Sequence, residues 1–390
     1  MLKIMLAAAV TLSLFSASAY ASGEGFYLGG LQFKPAFELT GINDSNITFA
    51  ESMPIYSYIT VAKPSLDVVA GGEVNYMNLN YAFERGIYRD SKGDSYSDHL
   101  INFGSHREFT HRAKLETAMS YKKSHDARGT TYTGLSTGFT TPDLWNENAA
   151  NLKFTYGGDH ATGRIVMQGG YALRRYDNHR SLTLGRDLDT FEFGAAFYYR
   201  LGARTAALFE LKDKVLDYRW AQSTLDSNEL TFFTGVAWKP SSITSATIKL
   251  GWQRKRFKAS YYPISQYFSW DASAEWAPLT YSVWKLNTGY AAKEIDGSGG
   301  IFIKSQNIAF TWKHYWLARL SHLAELQYQH DAFIGLLRKD KDLSAGISIN
   351  YSFRPGLDIV AAYSYSERTS NVFNSSYRQN MTKISLEKRL

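Results

Sequence analysis

The chain has 390 residues, 15% of them aromatic, and a formal net charge of +7 at pH 7. It contains no Cys, which excludes disulfides, thiol chemistry and Cys-ligated metal sites. The net charge predicts attraction to anions such as lipopolysaccharide, nucleic acid or an acidic polymer. Because the basic residues are spread along the chain and form no runs, a nucleic-acid partner has little support.

The first 21 residues have the pattern of a secretory signal peptide. Lys3 supplies the positive charge, an apolar stretch runs from Ile4 to Phe15, and Ala19 and Ala21 form a small-x-small cleavage site. The alternative, a transmembrane anchor, needs about 20 apolar residues, and the stretch after Phe15 is too small and polar to complete one. We therefore expect a signal peptide over 1–21, export, and no cytoplasmic or nucleic-acid role.

Residues 22–390 contain no apolar run of about 18 residues, so a helical membrane protein is excluded. A soluble chain of this length usually divides into domains joined by linkers. No Pro-rich or Ser-rich linker and no change of composition divides this one. A single continuous domain over 22–390 is predicted.

Alternation of apolar and polar residues is the dominant pattern, and it predicts β-strands with two different faces. One face carries Phe, Tyr, Trp, Ile and Leu, and the other carries Ser, Thr, Gly, Asn and charged residues. In chain order the clearest examples are LKFTY at 152–156, FEFGAAFYY at 191–199, FSWDASAEW at 268–276, NIAFTWK at 307–313 and LSAGISINYSF at 343–353.

The connections between these strands alternate between short and long. Short ones are expected near 71–72, 109–112, 157–163, 201–204, 240–244, 278–279, 318–319 and 354–356. Longer polar ones are expected near 43–53, 90–98, 126–148, 177–187, 219–228, 259–266, 294–300, 337–341 and 369–379. Short periplasmic turns and long outer loops are typical of outer-membrane barrels, and counting hairpins gives about 18 strands, or about 16 as the nearest alternative.

A soluble β-sandwich would show the same alternation, with the aromatic face as its core. Strands of about 10 residues or more, long enough to cross a bilayer at a tilt, favour a membrane barrel instead. Aromatic residues also concentrate at strand ends, for example Tyr198, Tyr199, Trp276, Trp312 and Trp316, which indicates interfacial girdles. The predicted fold is an all-β, transmembrane, antiparallel up-and-down barrel in the cell outer membrane, surrounded by outer-membrane lipid.

Two details fit this prediction less well. Pro35 and Pro64 fall inside the first two strands, where a missing N–H indicates a bulge or a later strand start. The last strand keeps Ile384 and Leu386 in the outward phase, but Lys388 shares that phase and the chain ends in Leu, not in an aromatic residue.

The first third of the chain resembles the β-barrel porins encoded with exopolysaccharide-synthesis genes, the EpsL/VpsM-like family. The similar segments, in order, are FKPAFEL at 33–39, NDSNI at 43–47, KPSLDV at 63–68, YAFERGIY at 81–88, YSDH at 96–99 and HDARG at 125–129. This resemblance, which covers roughly residues 31–130, implies an outer-membrane conduit for an acidic or neutral exopolysaccharide. It also implies periplasmic polysaccharide-export components as partners.

The polar phase of the strands is expected to line a water-filled lumen, because burying so many charges dry would cost several kcal/mol each. That phase is mixed in sign with a modest basic excess, and it offers hydrogen bonds to sugar hydroxyls. The predicted lumen residues are Lys114, Glu116, Lys122, Arg164, Arg174, Glu210, Lys212, Lys214, Lys249, Lys255, Asp271, Glu275, Lys285 and Lys313.

No enzyme is predicted, and no cofactor or metal site is expected, because the scattered His residues lack metal-ligand spacing. A Ser/His hydrolase within a barrel is the serious alternative, since Ser321 adjoins His322, with His314 and His330 nearby. Adjacent strand residues point to opposite faces, however, so Ser321 and His322 cannot act together.

Three functions remain open at this stage. The leading hypothesis is a passive conduit for exopolysaccharide. The second is a general or oligosaccharide-uptake porin with one inward loop, for which 126–148 is the longest candidate. The third is a structural or adhesive barrel with a plugged lumen.

Overall fold

The structure is a computed structural model that describes residues 25–130, 138–158, 161–295 and 299–390. The predicted signal peptide lies outside these ranges. The described strands are, in chain order, β1 Phe26–Leu28, β2 Leu31–Asp44, β3 Ser57–Gly71, β4 Tyr76–Tyr88, β5 Tyr96–Thr110, β6 Ala113–Asp126, β7 Asp143–Tyr156, β8 Gly163–Tyr176, β9 Leu188–Gly202, β10 Thr205–Tyr218, β11 Ser227–Trp238, β12 Thr244–Phe257, β13 Ser265–Leu279, β14 Ser282–Lys293, β15 Phe302–Leu317, β16 Leu320–Ile334, β17 Lys339–Arg354, β18 Leu357–Ser370 and β19 Tyr377–Arg389.

Within the described ranges, helical structure is confined to short turns in the connections. A 3-10 turn spans Lys92–Asp94, and one α-helical turn at Arg180–Thr183 continues as a 3-10 turn at Leu184–Arg186. Across the described ranges, none of the helices has the length and apolar character needed to cross a membrane.

Strands β2 to β19 form a closed antiparallel barrel. Each pairs with the next along the chain, and β19 pairs with β2 from Met381–Asp44 to Arg389–Ala36. The short strand β1 lies outside this count, since it folds back on the start of β2. The prediction of an up-and-down barrel with 18 strands is confirmed, and the alternative of about 16 is excluded.

The two ends of the barrel differ in their connections. Short turns join the strands at the end that also holds both ends of the described chain, and we call this the short-turn end. Longer connections join them at the opposite end, the long-loop end. The positions agree with the short and long connections expected from the sequence.

The alternation in the sequence gives the barrel wall two faces. In β12 the exposed side chains of Ile248, Leu250 and Trp252 alternate with the buried side chains of Lys249 and Gln253. Directly paired residues on neighbouring strands point to the same side, so the phase of one strand fixes the phase of all the others. The apolar face therefore points outward around the whole barrel, and the polar face points into the lumen.

Both early prolines lie within strands, so neither strand begins later than expected. Pro35 lies one residue beyond the last β19–β2 pair, Arg389–Ala36, where its missing N–H removes no bond of that ladder. Pro64 falls in a short gap of the β3–β4 pairing, between two regular stretches of the ladder. The barrel tolerates each proline because each sits where a ladder is already interrupted.

The outward face near the short-turn end carries an aromatic cluster. Trp284 and Trp312 stack with ring centroids 4.7 Å apart, and Trp316 donates a 2.8 Å hydrogen bond from Nε1 to His322 Nδ1. Exposed Trp276 lies at the edge of this cluster. These residues form part of the girdle expected from the sequence.

Candidate channel lumen

The register places all fourteen predicted lumen residues on the inward face. Several of them stand directly opposite a residue of the other charge on the next strand: Glu116–Lys153, Lys122–Glu147, Lys214–Glu229, Lys249–Asp271 and Glu275–Lys285. All fourteen point inward because alternate residues of a strand point to the same face, and these residues occupy the inward-facing positions.

Lys249 is the centre of a charge network on the inner wall of β10 to β13. Its Nζ lies 3.1 Å from Glu210 Oε2 and 3.2 Å from Asp271 Oδ1. Glu210 also forms an ion pair with Lys212, whose Nζ lies 3.2 Å from Glu210 Oε1. Opposite charges on β10, β12 and β13 therefore alternate around this part of the wall, which fixes the side chains in position.

Most of the remaining predicted residues are also paired with a carboxylate or an ammonium group. The pairs and their N–O distances are Lys114–Glu108 2.5 Å, Lys153–Glu116 3.1 Å, Lys122–Glu147 4.0 Å, Arg174–Glu147 2.8 Å, Lys214–Glu192 3.6 Å and Lys285–Glu275 3.0 Å. Arg164 and Lys313 lie over the rings of Tyr198 and Tyr315, at 4.4 and 5.1 Å from the centroids. Carboxylates thus neutralise much of the excess positive charge that the sequence predicts for the lumen.

Lys255, on β12 near the long-loop end, has a side chain with no exposed surface. Its Nζ lies 2.6 Å from Glu229 Oε1 and 2.6 Å from Glu294 Oε1. Tyr218 Oη donates a 2.6 Å hydrogen bond to Glu294 Oε2. A buried ammonium is stable only when such partners surround it. The position of Lys255 therefore depends on Glu229 and Glu294, and theirs depend on Lys255.

Glu294 belongs to the connection between β14 and β15, yet its partners Tyr218 and Lys255 lie on the inner wall of β10 and β12. The Ala292 N–H donates to Gln253 Oε1 at 3.1 Å, and the Arg186 guanidinium donates to the Ile295 carbonyl. The end of β14 and the start of this connection therefore cross the inner side of β13 and enter the lumen. We call residues 292–295 the inward segment.

An apolar cluster holds both ends of this connection. Phe257, Tyr267, Ala292 and Phe302 are buried together, and Ile301 packs against them. The cluster lies inside the barrel at the long-loop end. Phe257 and Tyr267 occupy the inward phase of β12 and β13, whereas strand parity alone assigns Ala292 and Phe302 to the outward phase of β14 and β15. Apolar packing and the Glu294–Lys255 ion pair thus fix the connection from two sides.

The sequence predicts that the connection 126–148 enters the lumen. Its described parts instead contact neighbouring connections at the long-loop end. Arg128 makes two short hydrogen bonds to buried Asp94, from Nε at 2.7 Å and from Nη2 at 2.6 Å. The ring of Phe139 packs on His179 with centroids 4.1 Å apart. These contacts attach 126–130 and 138–142 to neighbouring long loops, and residues 131–137 lie outside the described ranges.

A second ion cluster lies on the inner wall of β16 to β18. Asp340 pairs with Arg338 at 2.6 Å, and Asp342 pairs with Arg368 at 2.7 Å. Asp331 lies directly opposite Asp340 in the β16–β17 register. This wall carries more carboxylates than the wall of β10 to β12, so the two sides of the lumen differ in local charge.

Several residues that matter to the lumen were absent from the sequence prediction. Lys153, Glu192 and Glu229 lie in the polar phase of their strands, and counting alternate positions would have found them. Glu294 was not recoverable in this way, because it lies in a connection whose path the alternation does not specify, and the role of Tyr218 as its hydrogen-bond donor depends on that path.

The Ser/His residues considered for catalysis do not form a site. His322 lies in the outward aromatic cluster, where Trp316 donates to its Nδ1, and it stacks with His314 at 5.8 Å. Ser321 is adjacent on β16 and points to the opposite face. Among the described residues, no three His, Cys, Asp or Glu side chains are arranged to hold a metal ion.

Several solved structures share this fold. Pseudomonas aeruginosa OccK5 (OpdH) superposes with a TM-score of 0.50 at 10% identity, over 94% of this chain and 99% of that chain. The BenF-like porin from Pseudomonas fluorescens Pf-5 gives 0.51 at 8%, over 94% and 100%. Acinetobacter baumannii OccAB2 gives 0.50 at 12%, over 94% and 99%. Identities this low show the fold alone.

No curated protein matches the chain. The family described as "Putative beta-barrel porin 2" matches residues 20–390, nearly the whole sequence. This match agrees with the closed barrel, its outward apolar face and its charged interior. The chain therefore belongs to this family of outer-membrane β-barrel porins.

Proposed function

We propose that this protein is a passive channel through which small hydrophilic solutes cross the outer membrane. The observation that carries the proposal is the inward face, which presents charged and amide side chains around the whole barrel, while the outward face is predominantly apolar. A dry interior would leave these ions poorly solvated at a cost of several kcal/mol each, so we infer that water fills the lumen.

The inward segment favours small solutes over a polymer. It lies against the inner wall and narrows the passage near the long-loop end, as the uptake-porin hypothesis requires of one loop. Its anchors at Lys255 and in the apolar cluster hold it in place without a bound partner. We expect the long-loop end to face outward and the short-turn end to face the periplasm.

The pairing of luminal charges bears on selectivity. Since Lys249, Lys212 and Lys285 each have a carboxylate within 3.2 Å, the field that a passing ion meets is largely cancelled locally. We therefore propose a channel with weak preference between small anions and cations, and with room for neutral sugars.

Planar-bilayer recording of the purified protein tests the proposal. We expect steady ohmic current in KCl, a reversal potential near zero across a KCl gradient, and partial block by added oligosaccharide. Swelling of proteoliposomes in isotonic sugar measures neutral solutes independently. Absence of current together with absence of swelling would contradict the proposal and support a plugged, structural barrel.

Exopolysaccharide export stays a prediction that rests on the resemblance of residues 31–130. No contact among the described luminal residues favours a polymer over a small solute. Deletion of the gene, with measurement of surface and periplasmic polysaccharide, tests it separately. Unchanged secretion would remove that hypothesis and leave the solute channel untouched.

A further inference from the structure

Two arginines on the outward face of β12 have a position unlike that of the luminal charges. The outward phase of this strand reads Ile248, Leu250, Trp252, Arg254 and Arg256 toward the long-loop end, and all five side chains are exposed. Apolar residues are followed by a Trp and then by two cations. This order matches the layers of a membrane, from hydrocarbon to interface to headgroup.

The distances agree with this assignment. Alternate residues on a strand lie about 6.8 Å apart, and a tilt of roughly 40° reduces that to about 5 Å along the membrane normal. Arg254 and Arg256 thus lie about 5 and 10 Å beyond Trp252, whose ring centroid is 5.8 Å from that of Phe268. The headgroup layer on each side of a bilayer is about 5 to 8 Å thick.

Neither guanidinium has a carboxylate within 4.0 Å among the described residues. Other cations at the long-loop end, such as Lys258 and Arg378, form ion pairs with carboxylates. Lys258 pairs with Asp217 at 2.8 Å and with Asp226 at 3.1 Å. The residues directly opposite the two arginines in the neighbouring strands are uncharged: Leu230, Gln266 and Asn228. The pair is therefore exposed, adjacent and without internal compensation.

We propose that Arg254 and Arg256 bind a phosphate group of the glycolipid in the outer leaflet, the lipid A portion of lipopolysaccharide. Guanidinium groups bind phosphate through two parallel hydrogen bonds, and the neighbouring Trp252 and Leu230 offer apolar contact to the acyl chains. The same chemistry could take inorganic phosphate from solution, but the adjoining apolar band favours a phosphate attached to a lipid.

Native mass spectrometry of the purified barrel in detergent tests this proposal, with bis-phosphorylated lipid A as the probe. We expect the double variant Arg254→Gln/Arg256→Gln to lose roughly thirtyfold in affinity for lipid A. A matched control is Lys123→Gln/Lys341→Gln, which removes two exposed outward cations on separate strands and should bind like the wild type.

Three comparisons decide the outcome. Lipid A without phosphates should bind the wild type and the double variant equally weakly. Equal lipid A binding by the wild type and the double variant overturns the proposal, and so does an equal loss in the control. Displacement of lipid A by millimolar inorganic phosphate overturns the lipid assignment in favour of a free anion. Heat-dependent gel migration verifies that each barrel is folded, and conductance should not change, because the pair lies outside the lumen.

Discussion

Replacing Glu294 with Gln removes one of the two carboxylates that surround the Lys255 ammonium. Both N–O distances are 2.6 Å and the Lys255 side chain has no exposed surface, so the loss is that of a buried ion pair. Breaking such a pair costs about 3 to 5 kcal/mol. Because Glu229 remains, we expect the lower value, about 3 kcal/mol, which reduces the population of the anchored inward segment by roughly 150-fold relative to the detached one.

The consequence can be measured as current fluctuation. A detached segment moves in the lumen, so single-channel records of Glu294→Gln should show brief interruptions on an open level close to that of the wild type. Lys258→Gln is the control, since Lys258 makes exposed ion pairs outside the lumen. Records of Glu294→Gln that cannot be distinguished from the wild type would refute the anchoring role of the Lys255 pair.

Three further predictions concern pH, selectivity and the loops. Burial alone would raise the pKa of Glu294, but the adjacent ammonium holds it below its ordinary value of 4.5. Anchoring of the inward segment is therefore complete above pH 4.5 and is lost as the pH falls through the lowered pKa of Glu294. Single-channel records of the wild type should begin to fluctuate only in acid. Fluctuation that begins near neutral pH contradicts this prediction. Lys249→Met leaves Asp271 unopposed and Glu210 with Lys212 alone, and it should raise the K⁺ to Cl⁻ permeability ratio roughly twofold, measured as a reversal potential; an unchanged ratio would count against local charge control. Arg128→Ala leaves the buried Asp94 without its guanidinium partner, at a local cost of about 3 kcal/mol. Limited proteolysis should then cut the long loops faster while the barrel stays intact. Unchanged cleavage rates would show that this ion pair does not hold the loops.

The barrel itself was predictable because its signal is repeated. Each strand carries the same period of two, and every strand that pairs with it in register inherits its orientation. The parity of Lys249 on β12 therefore fixes that of Asp271 on β13, and the fourteen inward residues follow. An even number of barrel strands, with both ends of the described chain at the short-turn end, follows from the alternation of short and long connections.

The inward segment was not predictable by the same reasoning. Length indicated 126–148 as the inward connection, but length does not specify a path. What decides the path is a specific set of partners: Lys255 for Glu294, and the apolar cluster around Phe302 and Phe257. These partners lie on strands far apart in the sequence, and their proximity appears only once the register is known.

The entry of the inward segment also explains an irregularity in the barrel wall. Pairing between β13 and β14 ends at Trp270–Tyr290, although β14 continues to pair with β15 as far as Lys293–Ile303. An N–H freed from a ladder inside a membrane protein must find another acceptor, and that of Ala292 finds the Gln253 side chain. The seam is thus closed by side chains and not by backbone bonds. Gln253 and Lys255, two residues apart on the inward face of β12, together replace the pairing that β14 gives up when it turns into the lumen.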